Sequence, residues 1–246
     1  MSPAGLELLF PRRCAGCGSG PWPFCAACRS TLVAFTPPWC VRCGVPLERY
    51  AEFCRDCPHP VVARTRSAFL FWGAARRAVH RLKFSGWRPV ASALAASMAA
   101  VADGFALDAT VSWVPLSMRR RGRRGFDQAE LLARALAAER GVRAVPLLGR
   151  VHDGGPQARR AGEERRTALL GSFAPTRPAP ARVLLIDDVV TTGSTVAACA
   201  AALRGAGTTK VLVLSAARSV SAALPRRYTR HGLAPGSVVA RETSSR

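Results

Sequence analysis

The stretch Val183-Leu184-Leu185-Ile186-Asp187-Asp188-Val189-Val190-Thr191-Thr192-Gly193-Ser194-Thr195 constrains this chain more than any other. An apolar run leads into two adjacent carboxylates, then into small hydroxyl residues around one glycine, and an Ala-rich segment follows. A short, unbroken apolar run marks a strand buried on both faces. Its continuation through 191–195 into a helix expected over 194–206 gathers backbone N–H groups and hydroxyls at a helix N-terminus. That is a natural nest for a phosphate monoester. Gly193 lets the backbone approach the anion closely. Asp187 and Asp188 fall at the carboxyl end of the strand, where open α/β sheets take their ligands, and there they can accept hydrogen bonds from a vicinal diol. The plain alternative is a strand–turn–helix with a capping threonine. Two adjacent aspartates alone would not outweigh it; the whole arrangement does.

Around this motif, buried-strand patterns at 111–115, 142–148, 183–186 and 211–214 alternate with helical patterns at 89–103, 127–140 and 194–206. Such alternation predicts an α/β fold, a parallel doubly wound sheet. The second helix has a clear start: Asp127 can cap it, Glu130 follows three residues on, and Leu131, Leu132, Ala135 and Leu136 supply an apolar side. Residues 149–182 are polar, basic and rich in Gly and Pro, and read as a long loop of the kind that is functional or disordered. Residues 219–246 read as a peripheral basic tail.

Residues 1–62 are different in kind. They hold eight of the nine cysteines, in four Cys-x-x-Cys pairs: Cys14/Cys17, Cys25/Cys28, Cys40/Cys43 and Cys54/Cys57. The pairs repeat, since Gly18 and Gly44 follow the first and third while Phe24 and Phe53 precede the second and fourth. The chain start lacks a basic and then long apolar leader, and the longest apolar stretch, 90–102, is too short to span a bilayer. A cytoplasmic protein without membrane insertion is the expectation, and in that reducing setting paired cysteines point to metal. Four thiolates per repeat make a closed tetrahedral site, so two structural Zn²⁺ ions are expected. Sequential pairing (14/17/25/28 and 40/43/54/57) follows from the repeat; a cross-braced arrangement is the alternative. Cys199 stands alone in a helical segment and reads as a small buried residue. The boundaries are thus 1–62 for a double zinc ribbon, 63–218 for the α/β domain and 219–246 for the tail.

Charge adds a partner class. The formal net charge is +21, with only Lys83 and Lys210 as lysines, so the excess is arginine. Its densest run is Arg119, Arg120, Arg121, Arg123 and Arg124. An anionic partner fits: a nucleic acid, a nucleotide or a sugar phosphate. A solvated arginine-rich loop is the bland reading of the same run.

The 183–195 stretch resembles the signature by which type I phosphoribosyltransferases bind phosphoribosyl pyrophosphate (PRPP). The resemblance implies that fold for the α/β domain. It implies that Asp187 and Asp188, the residues counted as catalytic, hold the ribose hydroxyls. Val189 and Val190 would line the site, and Thr191, Thr192, Gly193, Ser194 and Thr195 would hold the 5-phosphate. Mg²⁺ would come with PRPP on its pyrophosphate side. Where hypoxanthine–guanine transferases carry an aspartate this chain has Thr191, which argues against that substrate group. Further segments narrow the likeness: Val114-Pro115-Leu116, Arg119, Arg120, then Arg124-Gly125-Phe126-Asp127-Gln128-Ala129, the Leu82-Lys83-Phe84-x-Gly86 patch, and Gln157…Arg165…Phe173. Together with the cysteine-rich start they are similar to the ComF family of competence-associated proteins. That family has Asn in place of Asp127, and Ala168 stands where it has another Asn. The likeness covers residues 10–218 and implies that Arg119 and Arg120 meet pyrophosphate while 149–175 forms a flexible hood. Two functions follow as expectations. One is binding of PRPP and single-stranded DNA in DNA uptake, together with proteins of an uptake machinery, the ribbon aromatics Trp22, Phe24, Trp39 and Phe53 being candidate stacking platforms. The other is transfer of phosphoribose from PRPP to a nitrogenous acceptor.

Overall fold

A computed structural model describes residues 13–55, 57, 61–106, 108–151, 171–220 and 224–231. In chain order its elements are α1 (Ala26–Arg29), β1 (Arg64–Leu70), α2 (Gly73–Phe84), α3 (Val90–Ala102), β2 (Thr110–Trp113), α4 (Met118–Arg124), α5 (Gln128–Glu139), β3 (Leu148–Arg150), β4 (Phe173–Pro175), β5 (Arg182–Val190), α6 (Ser194–Gly205), β6 (Lys210–Arg218) and a 3₁₀ turn at Arg226–His231. Strands β1, β6, β5 and β2 form one sheet in that order, every neighbouring pair parallel. The apolar runs of the central strands are unbroken because both faces are covered. Leu184, Ile186, Leu212 and Leu214 pack with Leu82, Leu94, Leu132 and Leu136 of α2, α3 and α5. Val183, Leu185, Val211 and Val213 pack with Cys199 and Leu203 of α6. The parallel sheet covered by helices is therefore as the alternation requires, and Cys199 is a fully buried core residue.

Four segments differ from the sequence expectation. β1 and α2 were not foreseen, because β1 opens Arg-Thr-Arg-Ser and buries two polar side chains, Thr65 and Ser67. Ser67 is satisfied across the sheet by the Ser215 hydroxyl at 2.7 Å. α2 carries its signal at Ala74, Ala75, Ala78, Val79 and Leu82, a helical stripe hidden among arginines. Residues 142–148 lie beside β2 but make only the Val111–Ala144 bridge, since Pro146 has no N–H to continue a ladder; strand structure resumes at β3, which pairs antiparallel with β4. The arginine run 119–124 is a helix, α4, rather than a loop. Ser117 caps it by accepting from the Arg120 N–H, and Gly125 ends it in the left-handed conformation at φ 73°.

The fourth difference is at the chain's end. Leu224 and Tyr228 are buried, and the Tyr228 hydroxyl accepts from the Thr36 N–H at 2.9 Å. Arg227 donates to the carbonyls of Pro38 (2.6 Å) and Leu47 (2.9 Å). Residues 224–228 thus strap the second ribbon instead of lying peripheral, held by one aromatic anchor and one arginine that a composition-based reading passes over. Residues 232–246, and with them the rest of the expected tail, lie outside the described residues.

The ribbons are seated directly on the sheet domain. Leu70 N–H donates to Val33 C=O (2.8 Å) and Thr65 N–H to Arg42 C=O (2.7 Å), while the buried Arg218 guanidinium donates to Cys43 C=O (2.9 Å). Cys14, Phe24, Cys28 and Val33 belong to the same apolar cluster as α2. Phe24 is consequently core, which removes it as a stacking platform.

Candidate functional site

β5 delivers Asp187 and Asp188 to its carboxyl end, and the chain then turns at 191–193 into α6. Gly193 sits at φ 80° as the residue before the helix, a left-handed conformation that disfavours any side chain. The Thr192 hydroxyl meets the Ser194 hydroxyl at 2.9 Å and accepts from the Ser194 N–H at 3.4 Å. Asp187 and residues 189–196 line an open cleft. A helix start leaves its first N–H groups without intrahelical acceptors, so the cleft presents donors and hydroxyls at one end and a carboxylate at the other.

The two aspartates play unequal parts. Burial, then the neighbouring charge of Asp188, push the Asp187 carboxyl well above the ordinary range, with Lys83 pulling the other way. Asp188 is turned from the cleft into the interior, where its carboxylate lies 3.2 Å from Lys83 Nζ; both residues are buried. Lys83, on the last turn of α2, is a site residue that the sequence marked only as part of a patch. Its signal was its rarity: one of two lysines in a chain rich in arginine.

Arg119 and Arg120 do not line the cleft. They sit on α4, which leaves the carboxyl end of β2, the strand beside β5. Pairing persists beyond β2, since Val114 N–H donates to Ile186 C=O at 2.9 Å. Asp127 locks this corner: one oxygen accepts from the N–H groups of Ala129 (2.9 Å) and Glu130 (3.3 Å), capping α5 as expected, and the other from Leu116 N–H (2.7 Å). Gln157, Arg165, Ala168 and most of the expected hood lie outside the described residues.

The eight cysteines form two separate groups in sequential order, Cys14/Cys17/Cys25/Cys28 and Cys40/Cys43/Cys54/Cys57, with the sulfurs of each within 4.8 Å of one another. The cross-braced alternative is excluded. A Zn–S bond of about 2.3 Å in a tetrahedron sets sulfurs about 3.8 Å apart. Cys17–Cys25 and Cys40–Cys57 stand at 3.8 Å and Cys43–Cys54 at 3.5 Å. Gly18 and Gly44 take φ 82° and 71°, as the turns after the pairs require. Burial opposes ionisation of Cys14 and Cys40, but neighbouring backbone N–H groups outweigh it and lower them to about 6 and about 7. Burial and the adjoining thiols push Cys28 up to about 12, and burial with the charges of Cys43 and Cys40 pushes Cys57 up to about 11. Four thiolates cannot coexist at this spacing without a cation, and a divalent ion resolves the conflict. These are two structural zinc sites.

A double zinc ribbon domain model matches residues 5–58. The DNA utilization protein YhgH of Salmonella typhimurium is 32% identical over 205 residues, covering 78% of this chain and 90% of that one. Competence protein ComFC of Bacillus subtilis is 27% identical, covering 70% and 73%. The chain belongs to the ComF family. Among solved structures, one described as the allosteric regulatory enzyme of purine biosynthesis matches at TM-score 0.37 and 24% identity, over 55% of this chain and 27% of that one. The ComF assignment rests on the sequence relatives and the ribbon, not on that partial overlap. No helix among the described residues is long and apolar enough to cross a membrane.

Proposed function

We propose that this ComF-family chain binds PRPP at Asp187–Thr195 and acts in the cytoplasm in DNA handling, engaging nucleic acid through its basic surface. The observation that carries the reading is the cleft itself. Hydroxyls and helix-start N–H groups at 192–195 suit the 5-phosphate, and the Asp187 carboxylate suits a ribose diol. Asp188, held by Lys83, fixes the strand end from which Asp187 projects. Mg²⁺ would arrive on the pyrophosphate, and the carboxylate oxygens of Asp187 suit so hard a cation. The names of the relatives, DNA utilization and competence, support the DNA side.

A second reading, phosphoribosyl transfer to a nitrogenous acceptor, draws on Arg119 and Arg120. They follow the carboxyl end of β2, the strand beside β5, and would stabilise charge on departing pyrophosphate. Release of pyrophosphate from PRPP only when an acceptor is added would establish it.

Calorimetric titration of PRPP with Mg²⁺ into the zinc-loaded protein tests the main reading. Saturable binding is expected for the wild type and none for Asp187→Asn. The folded-state Asp187 carboxyl is raised, so its contribution to stability is present at low pH and lost as pH rises through that raised value. At neutral pH the Asn variant should therefore melt no lower than wild type, and a variant that lost binding by unfolding would be recognised at once. Equal affinity of the two proteins would dismiss the site.

A further inference from the structure

The end of α2, the loop from α2 to α3 and the end of α4 together form a surface platform of rings and guanidinium groups, in which Phe84 is exposed while Trp87 and Phe126 are half-buried. Phe84 is 66% exposed, and the Arg124 guanidinium stands over its ring at 5.1 Å. Arg88 stands over Phe126 at 5.5 Å, and Arg81 over Trp87 at 4.9 Å. The rings are neighbours: the Phe126 ring lies 4.0 Å from where a Cβ on Gly86 would be, and Trp87 meets Trp22 edge-on at 6.2 Å. Beside them runs α4, which buries none of its residues and carries five arginines in seven positions. A helix without a buried face gains nothing from the core. Its caps, the Arg121–Glu130 ion pair at 3.3 Å and a hydrogen bond from Arg124 to Gln128 Oε1 at 3.0 Å tie it to the start of α5. A fold that keeps such a helix, and leaves a phenylalanine in water next to it, presents a binding surface.

We infer that Phe84, Phe126 and the α4 arginines dock single-stranded DNA, its bases stacking on the rings and its phosphates tracking α4. This rests on the DNA-handling reading above and names its surface. The chemistry selects the partner. Aromatic faces flanked by guanidinium groups accept bases of any sequence, and a cationic stripe follows the backbone. Duplex DNA hides its base faces and would use the arginines alone. Consecutive residues of α2's last turn face opposite ways: Lys83 points inward to Asp188, the neighbour of the cleft residue Asp187, and Phe84 points out. The ribbon offers a rival surface, with Phe53 51% exposed under Arg42 at 4.4 Å and Tyr50 63% exposed.

Fluorescence anisotropy with a labelled oligothymidine, across a salt series, decides between them. For zinc-loaded wild type, binding that weakens with salt is expected. Phe84→Ala with Phe126→Ala should weaken it by roughly tenfold or more, as loss of stacked bases does. Arg123→Ser should lower the slope of log affinity against log salt by about 0.7, one phosphate contact on a single strand. Tyr50→Ala with Phe53→Ala should leave affinity unchanged. Unchanged PRPP binding by the Phe84/Phe126 variant would show that it is folded. If wild type binds and only the Tyr50/Phe53 variant is impaired, the platform is overturned while DNA binding stands. A preference for duplex over single strand overturns it too. Failure of wild type to bind any DNA removes both the platform and the DNA side of the proposed function.

Discussion

The ribbons and the sheet domain solve the same problem with different chemistry. The sheet buries Leu184, Leu185, Ile186, Leu212 and Leu214 between helices, and apolar burial of that kind stabilises a domain without help. The ribbons offer a one-turn helix, α1, a few isolated bridges and only scattered buried apolar side chains. Their equivalent of a core is sulfur around metal. Yet the two share an interface of buried donors and apolar contacts, with Arg218, at the end of β6, reaching Cys43. Metal here governs local order, while the cleft at the end of β5 is built by the sheet.

Breaking the ribbons should have the largest effect. Structural zinc in small modules contributes on the order of 10 kcal/mol of apparent folding free energy. Stripping both ions with a chelator should unfold 13–57, measured as lost proteolytic resistance, and leave far-UV circular dichroism of the sheet domain largely in place. Collapse of the whole chain would mean that the interface makes one cooperative unit, and the comparison would have to be redrawn. A smaller effect is expected inside the sheet domain. Lys83→Met leaves the buried Asp188 carboxylate without its cation, a change that typically costs about 3 kcal/mol. Chemical denaturation should register that loss while zinc content stays at two ions per chain; loss of zinc as well would show that α2 transmits strain into the first ribbon.

Much of this was legible in the sequence, for reasons that the same contrast explains. Two-sided burial writes unbroken apolar runs, so β5 and β6 could be read directly. Helices α3, α5 and α6 announced themselves by stripes and, at Asp127, by a cap. The cysteine repeat fixed sequential pairing once geometry was available to choose. What escaped were elements whose stabilising contacts lie elsewhere in the chain. β1 buries Thr65 and Ser67, and Ser67 finds its hydroxyl partner in Ser215 on β6, far away in the chain. α4 has no stripe to read, since nothing in it is buried; Ser117 and Gly125 were its only marks. Tyr228 matters because Thr36, far away in sequence, meets its hydroxyl. Lys83 could not be assigned from its own surroundings, because its partner lies on another element.

The most direct test of the ligand cleft is amide hydrogen exchange of the zinc-loaded protein with and without PRPP–Mg²⁺. Slowed exchange is expected in the turn and first helical residues, 191–197, with lesser slowing around Lys83 and no change across the ribbon turns at Gly18 and Gly44. Unaltered exchange at 191–197 under saturating PRPP, or protection confined to the ribbons, would contradict PRPP binding at this cleft.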